Sequence, residues 1–144
     1  MNSASIVIEA VYQAESKNVW KALTDPSEMK EWYFDIPSFK AEKGTRFQFS
    51  GGSAEKTYLH LCEVKEAIKN ERLSYSWKYA NYPGDSLVSF QLVSEGMHTR
   101  LMFSHTGLDS FPKDNPDFAR GSFFAGWTTI LGENLKNYVE KQSA

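Results

Sequence analysis

The chain has 144 residues, a formal net charge of −2 and an aromatic content of 15%. That length fits one domain whose core needs no staples, and a near-neutral charge without a basic run lacks the electrostatic footprint of a nucleic-acid binder. The only cysteine, Cys62, excludes an intramolecular disulfide and a paired-cysteine metal or redox site, while no signal-peptide pattern or spanning apolar run is present, which predicts a cytoplasmic protein without membrane insertion.

Ser5–Tyr12 alternates, with Ile6, Ile8, Ala10 and Tyr12 on one face and Val7, Glu9 and Val11 on the other, which predicts a strand. Two short helices are expected next, roughly Ser16–Leu23 and Pro26–Tyr33. Trp20 and Leu23 lie three apart and share a face of the first. The second opens with a full start signal: Asp25 as cap, Pro26 at the first helical position and Glu28 three residues after the cap. Trp32 closes it. A helix pair of this size cannot bury two tryptophans by itself, so it needs a partner surface. Phe34–Gly44 reads as irregular, with a brief edge strand around Phe39.

Five strands are then expected in series. Thr45–Ser50 places Phe47 and Phe49 on one face, and Lys56–Lys65 is longer and less regular, as a bulged strand would be. Leu73, Tyr75 and Trp77 alternate with small or polar residues, as do Val88, Phe90 and Leu92, and then Leu101, Phe103 and His105. Turn signals fall at Gly51-Gly52-Ser53, Lys69-Asn70-Glu71, Asn81-Tyr82-Pro83-Gly84-Asp85 and Ser94-Glu95-Gly96. Connections this short predict antiparallel neighbours. Hairpin turns alternate between the two ends of such a sheet. The turns at 51–55 and 80–85 and the loop at 106–117 therefore belong at one end, where the mouth of any pocket is expected.

After that loop a helix of about 35 Å is expected over Phe118–Lys141. Phe124, Trp127, Leu131, Leu135 and Tyr138 form its apolar stripe, widened by Phe123 and Ile130. Gly126 lies on the same face at a cost of about 1 kcal/mol relative to Ala, which predicts close approach of sheet backbone or ligand.

Together, Val19-Trp20-x-Ala22-Leu23-Thr24-Asp25-Pro26 with Trp32, Gly44-x-x-Phe47-x-Phe49, Leu73-Ser-Tyr-Ser-Trp77, Thr99-Arg-Leu-Met-Phe-Ser-His105-Thr-Gly107, and Gly126-Trp127 with Leu131 and Leu135 form an ordered set. Over about residues 6 to 140 this resembles the START-like (SRPBCC) superfamily, and within it the activator of heat-shock-protein-90 ATPase homologue family. The resemblance implies an α+β helix-grip fold. In that fold a curved antiparallel sheet of six to seven strands wraps a long C-terminal helix, encloses a cavity and forms one domain over 1–144. The eukaryotic co-chaperone of that family has a further N-terminal domain, for which this chain leaves no room, so ligand binding ranks ahead of chaperone activation.

The inward positions supply the expected ligand-binding residues: Phe47, Phe49, Tyr58, His60, Tyr75, Trp77, Phe90, Phe103, His105, Phe124 and Trp127. Ordinary core is the competing reading of the same aromatics, and about half are expected to face the space. Tyr58, Tyr75 and Trp77 carry polar handles that can orient a ligand. His105 reads as a hydrogen-bonded histidine at a strand end ahead of a ligand anchor. His60, Cys62 and His105 could meet across the sheet, but their spacing matches no zinc signature, so no metal is predicted. Gly51-Gly52-Ser53 joins two strands and reads as a hairpin turn rather than a phosphate loop. Glu95, Asp109, Asp114 and Asp117 fall in loops, where carboxylates are solvated, and no catalytic residue or cofactor is predicted.

The leading expectation is a noncatalytic binding protein whose partner is a small apolar molecule, aromatic or lipid-like. The alternatives are a co-chaperone-like interaction module with a chaperone partner, and a cyclase- or aromatase-type enzyme using His60, His105 or Tyr75 in the same cavity. The outward faces, from Arg46 and Gln48 through Ser74, Ser76, Lys78, Ser89 and Gln91 to Arg100 and Ser104, are polar, which weakens the interaction module.

Overall fold

The computed structural model describes residues 5–52 and 56–142. Strand β1 (Ile6–Tyr12) is followed by helices α1 (Ser16–Thr24) and α2 (Pro26–Trp32). Five strands come next: β2 (Arg46–Gly52), β3 (Thr57–Ile68), β4 (Arg72–Tyr79), β5 (Ser86–Glu95) and β6 (His98–Thr106). Two 3-10 turns, Leu108–Ser110 and Pro116–Phe118, lead into helix α3 (Arg120–Thr129), which runs through a π-helical turn (Ile130–Leu135) into α4 (Lys136–Gln142). Among the described residues no helix is long and apolar enough to cross a membrane.

The sheet order is β1-β6-β5-β4-β3-β2, with every neighbouring pair antiparallel. Strands β2 to β6 form the expected meander. β1 joins beside β6, so α1, α2 and the segment after them carry the chain from one sheet edge to the other. This is the helix-grip arrangement, with α3 and α4 against the inward face. Thr99 ties α1 to β6: its hydroxyl donates to the Ala14 carbonyl at 2.7 Å and meets the Ser16 hydroxyl at 3.0 Å.

The start of α2 forms largely as its sequence dictates. Asp25 Oδ1 accepts from the Ser27 amide at 2.9 Å, which satisfies one of the helix's orphan donors. Glu28 does not reach back to close a capping box and instead pairs with Lys21 at 3.3 Å. Trp32 Nε1 donates to the Ala22 carbonyl at 2.9 Å, which locks α2 onto α1.

Four expectations need correction. No strand forms around Phe39; it is buried from a loop, with its ring 5.0 Å from that of Phe47. Ser74 is buried despite its outward position beside Glu66 and Ser89. Phe124 is 43% exposed, and the buried stripe is Phe123, Trp127, Leu131, Leu135 and Val139, four residues apart throughout, with Tyr138 only half-buried. In a pure α-helix every fourth residue drifts about 40° around the axis. The wider π turn takes up that drift and keeps one face on the sheet. Tyr12 secures this turn by donating its hydroxyl to the Leu131 carbonyl at 2.8 Å. The fourth correction is partial: at Gly126 an added Cβ would meet nothing within 4 Å, so of the two expected neighbours sheet backbone is absent and the ligand alternative stands. The expected bulge in β3 is present, between Val64 and Glu66.

The pairings Gly52 with Thr57, Trp77 with Ser86 and Leu87 with Thr106 put three chain reversals at one end of the sheet, as the alternation of turns requires. Residues 53–55 of the first expected turn lie outside the described residues.

Candidate functional site

Two neighbouring regions of the inward face use the same residue types. In the first, around β5 and β6, His105 is fully buried. Trp127 Nε1 donates to His105 Nδ1 at 3.0 Å, which forces the histidine hydrogen onto Nε2. His105 Nε2 then donates to Ser86 Oγ at 2.8 Å, and Ser86 Oγ donates to the Trp77 carbonyl at 2.6 Å. Burial pushes the His105 pKa down to about 3, so the ring is neutral. Phe103 lies 4.5 Å from the Trp127 ring and Phe90 5.1 Å from Phe103, which closes the space. Both ring nitrogens of His105 are thus engaged by protein partners.

Tyr75 and Tyr33 meet hydroxyl to hydroxyl at 2.8 Å in the adjoining core, and burial raises both phenol pKa values. Phe47 packs edge-on against Tyr75 at 5.1 Å, and Phe49 stacks on Phe34 at 4.4 Å. Phe47, Phe49 and Tyr75 are buried here.

The second region is open. Between the β2–β3 end of the sheet, α3 and the 3-10 turn Pro116–Phe118 lies a cavity of about 350 Å³. Its inner wall is His60, Trp77, Tyr79 and Trp127, with Phe34 and Phe123 beside them. Gly52, Lys56, Asp117 and Ser122, all exposed, mark its mouth. Glycines allow close packing at its edge. A Cβ on Gly51 would stand 2.8 Å from the Phe34 ring and 3.2 Å from His60, and Gly52 (φ +144°) approaches the Lys56 carbonyl where a Cβ would come within 2.4 Å. Gly126 faces the cavity from the helix side, where a larger residue would take up volume.

The mouth carries a polar clamp. Tyr58 donates its hydroxyl to Asp117 Oδ2 at 2.6 Å and accepts from Asn115 Nδ2 at 3.2 Å, tying the 115–118 turn to β3. The Asp117 carboxylate that sequence reasoning left in solvent is therefore engaged. Lys56 Nζ sits over the Tyr58 and Tyr82 rings at 5.4 and 5.9 Å. Inside, His60 Nδ1 lies 3.0 Å from the Tyr58 carbonyl, and burial lowers the His60 pKa to about 4. The Trp77 ring stands between the two histidines, 4.8 Å from His60 and 5.5 Å from His105, so His60, Cys62 and His105 do not converge. Among the described residues no three His, Cys, Asp or Glu side chains gather as a metal site would require. Burial alone pushes the Cys62 thiol well up.

Of the expected ligand residues, Tyr58, His60, Trp77 and Trp127 line the cavity. Phe47, Phe49, Tyr75, Phe90, Phe103 and His105 fill the core, and Phe124 points outward. Tyr79, Phe34, Phe118 and Phe123 were missed, Phe123 because its neighbour Phe124 was given the inward place. Tyr79 continues the β4 alternation one step past Trp77, a legible signal, whereas Phe34 and Phe118 come from irregular segments without a period to betray them. A larger depression of about 620 Å³ lies on the outer face around Arg46, Glu63, Lys65 and Lys78. There Glu63 pairs with both Arg46 and Lys65, each at 3.3 Å.

A family model described as "Activator of Hsp90 ATPase homolog 1-like protein" matches residues 13–140. No curated protein matches the chain. Among solved structures, protein MLL2253 of Mesorhizobium loti is 28% identical with a TM-score of 0.77, covering 95% of this chain and 97% of its own. CalU16 of Micromonospora echinospora is 26% identical with a TM-score of 0.73, covering 94% of this chain and 73% of its own. Mll3558 of Rhizobium loti shares the fold at 19% identity and a TM-score of 0.80, covering 93% of this chain and 95% of its own.

Proposed function

This chain belongs to the activator of Hsp90 ATPase homolog 1-like family, and from that premise we propose that it is a noncatalytic binding protein whose cavity takes a small, largely apolar molecule. The observation that carries this reading is the roughly 350 Å³ space itself, walled largely by aromatic rings. Small-molecule pockets begin at about 300 Å³ and are lined in this way. The cavity is an aromatic slot with few polar groups, suited to a molecule of two or three rings or a short acyl chain.

The cyclase- or aromatase-type reading gains no support from the polar groups. General acid–base work favours a pKa near the operating pH. The deepest titratable group on the wall, His60, is held at about 4, and the phenol of its neighbour Tyr79 is pushed upward by burial. The co-chaperone reading calls for a contiguous apolar patch. Of the exposed large apolar residues, Val7 and Leu87 share one outer-face depression with Met102, whereas Ile68, Val93, Met97 and Phe124 do not line it.

Amide chemical-shift mapping with aromatic and lipid-like compounds tests the proposal. Shifts are expected at Tyr58, His60, Trp77, Trp127 and the 115–118 turn, with quenching of tryptophan fluorescence. Shifts confined to the outer face of the sheet would overturn it in favour of the interaction module.

A further inference from the structure

The cavity wall carries two hydrogen-bonding groups that the fold does not use. The Tyr58 carbonyl bonded at Nδ1 can only accept, as can the Phe49 carbonyl that also acts on the ring, and with Tyr58 at 3.0 Å the His60 hydrogen resides on Nδ1. In the neutral ring that leaves Nε2 as a bare acceptor, and no protein donor among the described residues is bonded to it. Tyr79 is its complement. Its phenol oxygen accepts from Trp77 Nε1 at 2.9 Å, while its own hydroxyl hydrogen finds no acceptor among the described residues. The two rings lie 4.8 Å apart, and both line the cavity. The other polar atoms nearby are engaged: Trp127 Nε1 with His105 and the Tyr58 hydroxyl with Asp117.

An acceptor beside a donor, both neutral and both on an apolar wall, matches one functional group. We infer that His60 and Tyr79 form a recognition site for a single neutral hydroxyl on an otherwise apolar ligand, the hydroxyl donating to His60 Nε2 and accepting from Tyr79. The inference rests on the proposed binding cavity and names the class of molecule it takes, a phenol or an alcohol on a ring system. A carboxylate fits poorly. It would set its charge against the His60 lone pair with one donor to receive it, and burying an unpaired charge is strongly unfavourable. Lys56, the cation nearest the cavity, is at the mouth rather than on the inner wall. A bare hydrocarbon would leave both protein groups unsatisfied, and it is this penalty that lets a polar site reject an analogue lacking the hydroxyl.

The test compares 2-naphthol, naphthalene and 2-naphthoate by equilibrium dialysis at neutral pH, against the wild type, Tyr79→Phe, His60→Phe and His60→Gln. The wild type is expected to bind 2-naphthol at least about tenfold more tightly than either other probe. In Tyr79→Phe and His60→Phe the ratio of 2-naphthol to naphthalene affinity should fall towards one, with naphthalene binding retained as the control for folding. His60→Gln, whose amide oxygen can accept, should recover part of the ratio. Equal binding of 2-naphthol and naphthalene by the wild type would overturn the hydroxyl site and leave the cavity reading standing. A preference that survives in both phenylalanine variants, or tightest binding of 2-naphthoate, would do the same. Binding of none of the three would remove the cavity reading along with it.

Discussion

His105 and His60 sit on adjoining parts of one inward face, among the same kinds of ring, and have opposite fates. Around His105 every hydrogen has an assigned place, from the Trp127 indole through the imidazole and Ser86 to a backbone carbonyl, and no space is left. Around His60 the geometry bonds one ring nitrogen to the Tyr58 carbonyl, and the ring borders the cavity. Aromatic residues line both regions, so they do not make the cavity. The cavity lies between the β2–β3 end of the sheet, α3 and the 116–118 turn, whereas Phe90 and Phe103 close the space beside His105.

Trp127 joins the two regions, packing on Phe103, donating to His105 and lining the cavity. Its removal is the hardest blow to that shared frame. Trp127→Ala should destabilise the chain by about 3–5 kcal/mol, the range for emptying a large aromatic core site, with the unfilled acceptor on His105 adding to the cavity term. Urea denaturation measures this. A loss below about 1 kcal/mol would mean that the regions do not depend on a common anchor.

Acid probes the same comparison from the charge side. Burial lowers both folded pKa values, to about 4 for His60 and about 3 for His105, below the ordinary value of 6.5. The unfolded chain therefore binds protons that the folded chain refuses, and stability falls as the pH drops below 6.5 until each folded value is reached. At pH 5 each histidine should account for a loss of about 2 kcal/mol, at about 1.36 kcal/mol per pH unit. Denaturation midpoints at pH 7.5 and pH 5 read the sum, and ring-proton titrations separate the residues, with His60 protonating first. A ring that titrates near 6.5 would place that histidine in water.

Most of this frame was legible in the sequence, and the failures have physical causes. Period-two alternation located the strands, and the parity of hairpin turns put the mouth at the correct end of the sheet. The Asp25-Pro26 start fixed α2. Phe124 was misassigned because a 3.6-residue period was applied to a helix whose π turn spaces its buried residues by four. His105 and His60 looked alike because tautomer and partners depend on Ser86 and on the Tyr58 carbonyl, which sequence does not bring together. Phe34 and Phe118 reach the cavity from irregular segments, where no periodicity signals an inward side chain. Gly126 was expected to meet sheet backbone or ligand, and the open space around it removes only the first.

A smaller effect tests the clamp that distinguishes the open region. Tyr58→Phe removes the hydroxyl that binds Asp117 and Asn115 and should cost about 1.5 kcal/mol, as expected for a bond to a carboxylate. The variant should show faster amide exchange confined to the 115–118 turn, with the His105 region unchanged. Uniform acceleration across β5 and β6 would mean that the clamp supports the whole fold rather than the mouth.

Gly126→Ala should have the smallest effect on stability and the most telling sign. Glycine inside a helix is less favourable than alanine by about 1 kcal/mol, and a methyl at this position meets nothing within 4 Å. Stability should therefore rise by roughly that amount, read as a higher thermal midpoint. The same methyl projects into the roughly 350 Å³ cavity, which Gly126 helps to line, so affinity for 2-naphthol should fall. Opposite movements of stability and affinity identify a position held open for a ligand at the expense of helix propensity. A variant that gained stability and bound as before would show that the occupied volume lies away from α3, against the β3 wall. A variant that lost stability would mean that Gly126 is packed after all, and that the open and closed regions differ less than their glycines suggest.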